Sequence, residues 1–422
     1  MKILFSILVF IVSAMAQNTN EWPILHNIGH TNFSPTTLLK PPLKVKWVTK
    51  VQGKFWVGPV VAEGRLVAQD QCGYLFCLDA ETGELIWRYY VNGQGFDIVA
   101  YNNAPSIFNG RVYASFPSAY WAGINGMYCF NLQTGDLLWK QPSGIDPDYM
   151  GHSPQVSQGR LFNNSNVDIN RNSYPNPRTF KCQVQCWDAA TGDSLWTYTL
   201  WDTACTMTSL LVIGDTVFAS AGYRPTTSGG ATQGKTVALG LDGREIWNSV
   251  QYYCFNKFQQ LQYRAGELWV KTNSTCYPCH DTLSVLNAAD GTLKRKVAEE
   301  MQIPTMILAG DHYYPRIYGG TIFGHHSGTG ALTMESRLFP GDAFNSGCGP
   351  AIMGNGYFFA GWGSVLDENH QGNKWYAWDS TGNPVWQYAT STNNCAQPAI
   401  AYDKLYTVTS SSSLIYCFEN AQ

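Results

Sequence analysis

Cys276-Tyr277-Pro278-Cys279-His280 carries the most pointed chemical pattern in this chain. Two thiols with two residues between them, followed at once by a histidine, match the spacing of covalent c-type haem attachment. The same two cysteines can close a local disulfide on a hairpin, with His280 incidental. That plainer reading is preferred, because no helical cytochrome pattern surrounds the motif. The sequon Asn273-Ser274-Thr275 also stands directly ahead of it, and a glycan there would crowd a haem. A metal site on Cys276, Cys279 and His280 lacks a fourth ligand in view.

A second oxygen-rich run, Asn164-Ser165-Asn166-Val167-Asp168-Ile169-Asn170, sets side-chain oxygens at every other position, as the start of a calcium loop does. The glycine and distal glutamate of a full loop are missing, so a solvated insertion is the simpler expectation. No Ser/His/Asp or Cys/His catalytic set can be assigned from the order of residues. The sequons at Asn32, Asn163 and Asn273 are candidate glycosylation sites if the chain enters a glycosylating secretory route.

The elements that must position these residues are announced by repetition. Leu78-Asp79-Ala80-Glu81-Thr82-Gly83-Glu84-Leu85-Ile86-Trp87 recurs as Asn131 to Trp139 and as Asp188 to Trp196. Shorter copies end at Trp247 and Trp386, and Asn287 to Lys294 keeps the turn but loses the tryptophan. Asp or Asn opens such a turn by bonding its own backbone, and Gly supplies the positive φ of the reversal. A second phrase, Pro59 to Val67 with its Gly64-Arg65 turn, precedes each copy. Two hairpins per unit predict four-stranded antiparallel blades, and the period predicts a β-propeller. Seven blades fall at Pro59–Trp87, Pro105–Trp139, Pro154–Trp196, Met207–Trp247, Leu261–Arg295, Met306–Leu338 and Pro350–Trp386. The sixth, carrying His325-His326, has the faintest phrase. An eighth begins at Pro398 and lacks its last strand, which Leu43 to Trp47 would supply, closing the ring and removing two exposed edges. Trp47, Trp87, Trp139, Trp196, Trp247 and Trp386 are expected as structural docking residues.

The phrase resembles the tryptophan-docking repeat of pyrroloquinoline-quinone (PQQ) dehydrogenases and of the bacterial outer-membrane assembly lipoprotein BamB. The lead-in, Glu21-Trp22-Pro23 through His30-Thr31, looks like that of many PQQ-like repeat proteins. The resemblance implies an all-β, eight-bladed propeller and leaves activity open, since one fold hosts many functions. In the dehydrogenases it implies two adjacent cysteines against the quinone and a calcium held by carboxylates and an amide. This chain has no adjacent cysteine pair, and no calcium set maps onto it residue by residue.

Twelve cysteines divide by position. Cys77, Cys129, Cys186 and Cys417 share one repeat slot that other blades fill with Ala or Val, so unpaired core thiols are expected there. Cys205, Cys254, Cys348 and Cys395 lie in the linkers entering blades four, five, seven and eight. Cys205–Cys254 and Cys348–Cys395 are the expected bridges. The linkers around the channel form the natural ligand face, with Trp56, Asp97, Asn102, Asn103, Asp146, Asp148 and His152 as candidates for a sugar or small ligand, or simply as a cap over water.

Met1-Lys2, the apolar run Ile3 to Val12 and Ser13-Ala14-Met15-Ala16 read as a signal peptide over residues 1–16. Residues 17–42 then form a lead-in and residues 43–422 one propeller domain. No later segment is long and apolar enough to span a membrane, and no lipid-attachment cysteine follows the signal peptide. A formal charge of −3 without a basic block argues against nucleic acid. The functional expectation is a secreted, non-catalytic scaffold that binds an extracellular protein or glycan, or a subunit of a surface assembly. The rival is a quinone-dependent oxidoreductase with PQQ and calcium at the channel mouth.

Overall fold

The repeated phrase folds as its chemistry requires. The computed structural model describes residues 20–55, 57–91, 104–116, 126–142, 153–168, 180–202, 205–223, 233–251, 261–272, 281–299, 306–315, 321–337, 339, 351–362, 373–392, 394, 396–410 and 412–421. In it the Asp79 carboxylate accepts the amides of Glu81 and Thr82 at 3.0 and 2.9 Å, and Gly83 completes the reversal at φ 74°. Asn131 and Asp188 receive the amides two and three residues on in the same way. The Thr191 amide is the chief reason the Asp188 carboxyl sits below its ordinary range.

Each blade has four antiparallel strands, A to D from the axis outward. Blade 1 is Val60–Ala62, Arg65–Gln69, Tyr74–Asp79 and Leu85–Tyr90. Its A–B hairpin turns on Glu63-Gly64, both at positive φ, the two-residue reversal whose twist suits adjacent strands. Blades 2 to 7 span residues 106–141, 155–201, 205–251, 261–299, 307–335 and 352–389. Strands A to C of blade 8 are Ala399–Ala401, Lys404–Val408 and Leu414–Asn420, and its D strand is Leu43–Lys50, antiparallel to strand C. The fold is the expected one, an eight-bladed ring whose N-terminal strand completes the last blade. Residues 40–42 meet residues 420–421 where blade 8 would have its C–D turn. There the Lys40 amide donates to Asn420 Oδ1 at 2.7 Å and the Ala421 amide to the Pro42 carbonyl at 3.0 Å.

Neighbouring blades are joined by one repeated contact. The indole N–H of each docking tryptophan donates to a carbonyl of the next blade: Trp47 to Ala80, Trp87 to Leu132, Trp139 to Ala189, Trp196 to Leu241 and Trp247 to Ala288, over 2.8 to 3.3 Å. Trp386 donates to Leu43 at 2.9 Å, the blade 8 version of that bond. Under each of the first five rings lies the glycine of the next turn. A Cβ on Gly135 would stand 2.7 Å from the Trp87 ring, and one on Gly192 2.7 Å from that of Trp139.

Blade 6 hides its phrase by substitution. His326 stands where Asp heads the other turns, and its Nδ1 accepts the amides of Gly328 and Thr329 at 3.2 Å, as a carboxylate oxygen would. Met334 stands where the tryptophan would be and is buried. Between the blades the repeat slot of Cys77, Cys129, Cys186 and Cys417 is filled by buried free thiols. Burial pushes the first, third and fourth up to about 12 and Cys129 to about 11.

Two glycine-to-alanine substitutions should separate backbone strain from docking. Gly330 lies at φ 70° with no described heavy atom within 4 Å of an added Cβ, whereas Gly135 lies at φ 75° beneath Trp87. Gly330→Ala should cost about 1–2 kcal/mol for the left-handed backbone alone. Gly135→Ala should cost a further ~1–3 kcal/mol for overpacking. Denaturant midpoints at matched slopes measure the difference.

Candidate functional site

Inner strands of a propeller turn one edge toward the axis, and those N–H and C=O groups need partners. Here the lead-in supplies them, visiting the blades in order. The Asn20 carbonyl accepts Tyr402 N–H of blade 8, and Trp22 exchanges both backbone bonds with Val61 of blade 1 at 2.7 and 2.8 Å. The Pro23 carbonyl accepts Ile107 N–H of blade 2, and Leu25 N–H donates to Ser153 Oγ beside blade 3. Gly29 sits 3.0 Å, measured from an added Cβ, from the Tyr263 carbonyl of blade 5 and 4.0 Å from Ile213 of blade 4. The Thr31 carbonyl takes Leu308 N–H of blade 6, and the Asn32 carbonyl takes Met353 N–H of blade 7. Phe33–Ser34 then adds a parallel strand to Ile352–Gly354, and Leu38 N–H returns to Asp403 of blade 8 at 2.7 Å. The segment makes one circuit inside the ring and plugs it.

The plug brings a polar hub to the axis. The His30 Nδ1–H donates to the Leu261 carbonyl at 3.0 Å, which leaves Nε2 to accept from the Gln155 amide at 3.1 Å. Gln155 also donates to the Leu210 carbonyl and accepts Val212 N–H, both at 2.8 Å. Asn32 Oδ1 accepts from His26 Nδ1 at 3.0 Å and from Gln397 Nε2 at 2.5 Å, while its Nδ2 donates to the Met306 carbonyl. Gln262 bridges the His30 and Met306 carbonyls. All of these side chains are buried. Burial is the main reason the His30 pKa falls to about 4, with the Leu261 bond opposing it. The imidazole is therefore neutral at ordinary pH, a geometric part rather than a charge.

The hub was not among the candidates expected from sequence. Its one signal is that residues 22–39 contain no Asp, Glu, Lys or Arg, the composition of a segment that is to be buried. The expected ligand face, Trp56, Asp97, Asn102, Asn103, Asp146, Asp148 and His152, lies outside the described residues. So do Cys254, Cys276, Cys279, His280, Cys348, Cys395, Asn170 and Asn273. Cys205 begins the A strand of blade 4, where only the backbone is described. The strand ends that lead into the linkers 92–103 and 143–152 lie at the end of the ring opposite the A–B and C–D turns. Those turns share one end, since Gly64 of the first accepts Ala80 N–H of the second.

Two further candidates lie partly on described residues. Residues 164 to 168 belong to the strand Arg160–Asp168, with Asn164 opposite Val184, Asn166 opposite Cys182 and Asp168 opposite Phe180. The described part of this run is extended, paired backbone rather than a turn or solvated insertion. The sequon asparagines at 32 and 163 are buried, at 0% and 1% exposure. The Asn32 nitrogen that a glycan would occupy is already bonded to Met306.

A family model described as outer membrane protein assembly factor BamB matches residues 43–116 and 117–331. BamB of Burkholderia pseudomallei is 25% identical over 159 residues, 38% of this chain and 39% of that protein. A polyvinylalcohol dehydrogenase of a Pseudomonas species is 28% identical over 181 residues, 41% of this chain and 28% of that one. The matches thus span well under half of these relatives. Among solved structures, a europium-containing methanol dehydrogenase aligns over 95% of this chain and 98% of its own, with a TM-score of 0.71 and 11% identity. BamB of Moraxella catarrhalis aligns over 89% and 99%, with a TM-score of 0.63 and 12% identity. At such identities the structural likeness speaks for the fold.

Two outcomes follow from the plug. His30 is depressed from its ordinary 6.5 to about 4, so the unfolded chain binds the extra proton between those values. Stability is then full above pH 6.5, falls as pH drops toward 4, and levels off below, by about 3 kcal/mol in all. Unfolding curves across that window should flatten in His30→Asn relative to the wild type. Peptide mapping of folded chain from a glycosylating host should find Asn32 and Asn163 unmodified, and a glycan at either would overturn their burial.

Proposed function

We propose, from the premise that the chain belongs to the family of the outer membrane protein assembly factor BamB, that it is an exported, non-catalytic binding scaffold. Its ligand is a protein or glycan, presented to the mouth opposite the plug. The observation that carries this reading is the plug itself. Residues 20–34 tie all eight blades together and fill the axis with a hydrogen-bonded network of amides and imidazoles, which makes a rigid disc accessible from one end. Rigid rings of this kind hold recognition loops in fixed relation without spending ordering entropy on binding. Among the described residues no helix is long and apolar enough to cross a membrane.

The quinone of the related dehydrogenases does not fit the donors that are described. No two cysteines are adjacent in the chain. The carboxylate of Asp70, buried in the blade 1 B–C turn, accepts the amides of Cys72 and Tyr74 at 2.9 and 2.7 Å within its own hairpin. Among the described residues no three His, Cys, Asp or Glu side chains converge as a metal site.

A visible spectrum and native mass spectrum of protein from its own source, before and after adding PQQ with calcium, test the reading. The expected result is a colourless chain whose mass exceeds the polypeptide only by any glycan and whose melting temperature PQQ leaves unchanged. A Soret band, or a bound quinone, would replace the scaffold with an oxidoreductase.

A further inference from the structure

Five seams of the ring, counted from blade 8, hold an indole against the glycine of the next turn, and the seam between blades 5 and 6 holds none. The tryptophan position of blade 5 is Arg295, eight residues after Asn287 as Trp87 is after Asp79. Its guanidinium is drawn back onto its own blade, with Nη1 and Nη2 on the two oxygens of Glu267 at 2.7 and 2.8 Å and its carbon 5.1 Å from the Trp269 ring centre. Gly330 of blade 6, the counterpart of Gly83 and Gly135, therefore faces open space: no described heavy atom lies within 4 Å of a Cβ built on it. The corresponding distance at Gly83, Gly135, Gly192, Gly243, Gly291 and Gly382 is 2.5 to 2.7 Å. The carbonyl that takes an indole N–H in the other blades, Ala80 or Leu132 for example, is here Ser327. Its amide makes the usual bond to the A–B turn, at Asp311, and its oxygen accepts no hydrogen bond among the described residues.

We propose that this notch is a docking socket for an aromatic side chain, an indole above all, borne on an acidic segment of a partner protein. The same fold shows five times what the socket accepts: a flat ring over the glycine with its N–H on the carbonyl. The rim sets the charge of the segment. Lys294 Nζ and Arg295 share one carboxylate, Glu267, and Arg264 donates to the His312 carbonyl while lying over Trp269. Asp311 is engaged by His312 and His326. Cations thus outnumber carboxylates at this seam, in a chain whose formal charge is −3. Half-exposed Leu293 and Leu332 on the two bordering D strands give the segment apolar ground. Aromatic residues in a preformed slot with charged surroundings are the usual anchors of protein interfaces. The inference rests on the scaffold reading only in requiring a partner. A quinone-loaded chain would leave it standing, so the two fail separately.

The test uses the full chain and an acetylated, amidated peptide Asp-Glu-Trp-Glu-Asp carrying fluorotryptophan, followed by calorimetry and fluorine NMR. The wild type should bind it saturably, and the same peptide with alanine for tryptophan should bind about ten-fold more weakly or not at all. Arg295→Trp fills the socket from within and should abolish binding while raising the melting temperature. Lys294→Glu, an exposed rim change that leaves the fold intact, should weaken the acidic peptide and strengthen a lysine-flanked counterpart. No binding by the wild type, equal binding of the alanine peptide, or indifference to Lys294→Glu would each overturn the socket. Undiminished binding by folded Arg295→Trp would do the same.

Discussion

A ring of sheets holds together only if every seam closes at once, and in this chain closure depends on residues 20–50. Leu43–Lys50 is the D strand of blade 8, and Trp47 on it makes the docking bond to blade 1 while Trp386 of blade 7 docks on Leu43. One segment therefore serves two consecutive seams, from blade 7 to blade 8 and from blade 8 to blade 1. Blade 8 is completed only by this strand, since its strand C would otherwise be left as an open edge. Pairing the first strand with the last removes both edges and makes the ends of the chain covalently remote but physically adjacent.

The plug extends the same logic to the axis. Eight inner strands present a circle of backbone donors and acceptors to a space too narrow for bulk solvent to serve well, and burying them unpaired would be costly. A single peptide making one circuit pairs with them in turn, and its His30 and Asn32 side chains are met by Gln155 and Gln397. The hub is built largely from amides and the neutral imidazole of His30, a composition that tolerates burial. Under the proposed scaffold reading, this leaves one end of the ring for recognition.

The seams are alike in plan and differ in detail, and the details fall in one sector. Blade 6 replaces Asp with His326 and Trp with Met334, while blade 5 replaces Trp with Arg295 and brings Trp269 from strand B to pack at a tilt on Tyr313, ring centres 5.4 Å apart. The interior of that seam stays packed and its rim is open. A loss of docking at the rim with compensation beneath it keeps the ring closed and frees surface for another use.

What the amino-acid sequence determined by itself is whatever rests on contacts between near neighbours. The turn of Asp79 is made by residues two and three positions away, and the glycine after it must take positive φ. The phrase is therefore readable wherever its letters stand, and the blade count, the antiparallel blades and the closing strand were legible from it. Blade 6 was faint because His326 performs the same local bond with a different atom. The destinations of residues 20–34 were decided only in the tertiary structure. His30 meets Leu261 and Asn32 meets Met306, partners more than 200 positions away, and nothing local announces them beyond a stretch without charge. The same holds for Asn32 and Asn163, sequons by spelling and core residues by position. It holds also for Gly330, whose vacancy depends on where Arg295 turns. Local hydrogen bonds are written in spacing, whereas burial, and which side chain fills which gap, exist only once the ring has closed.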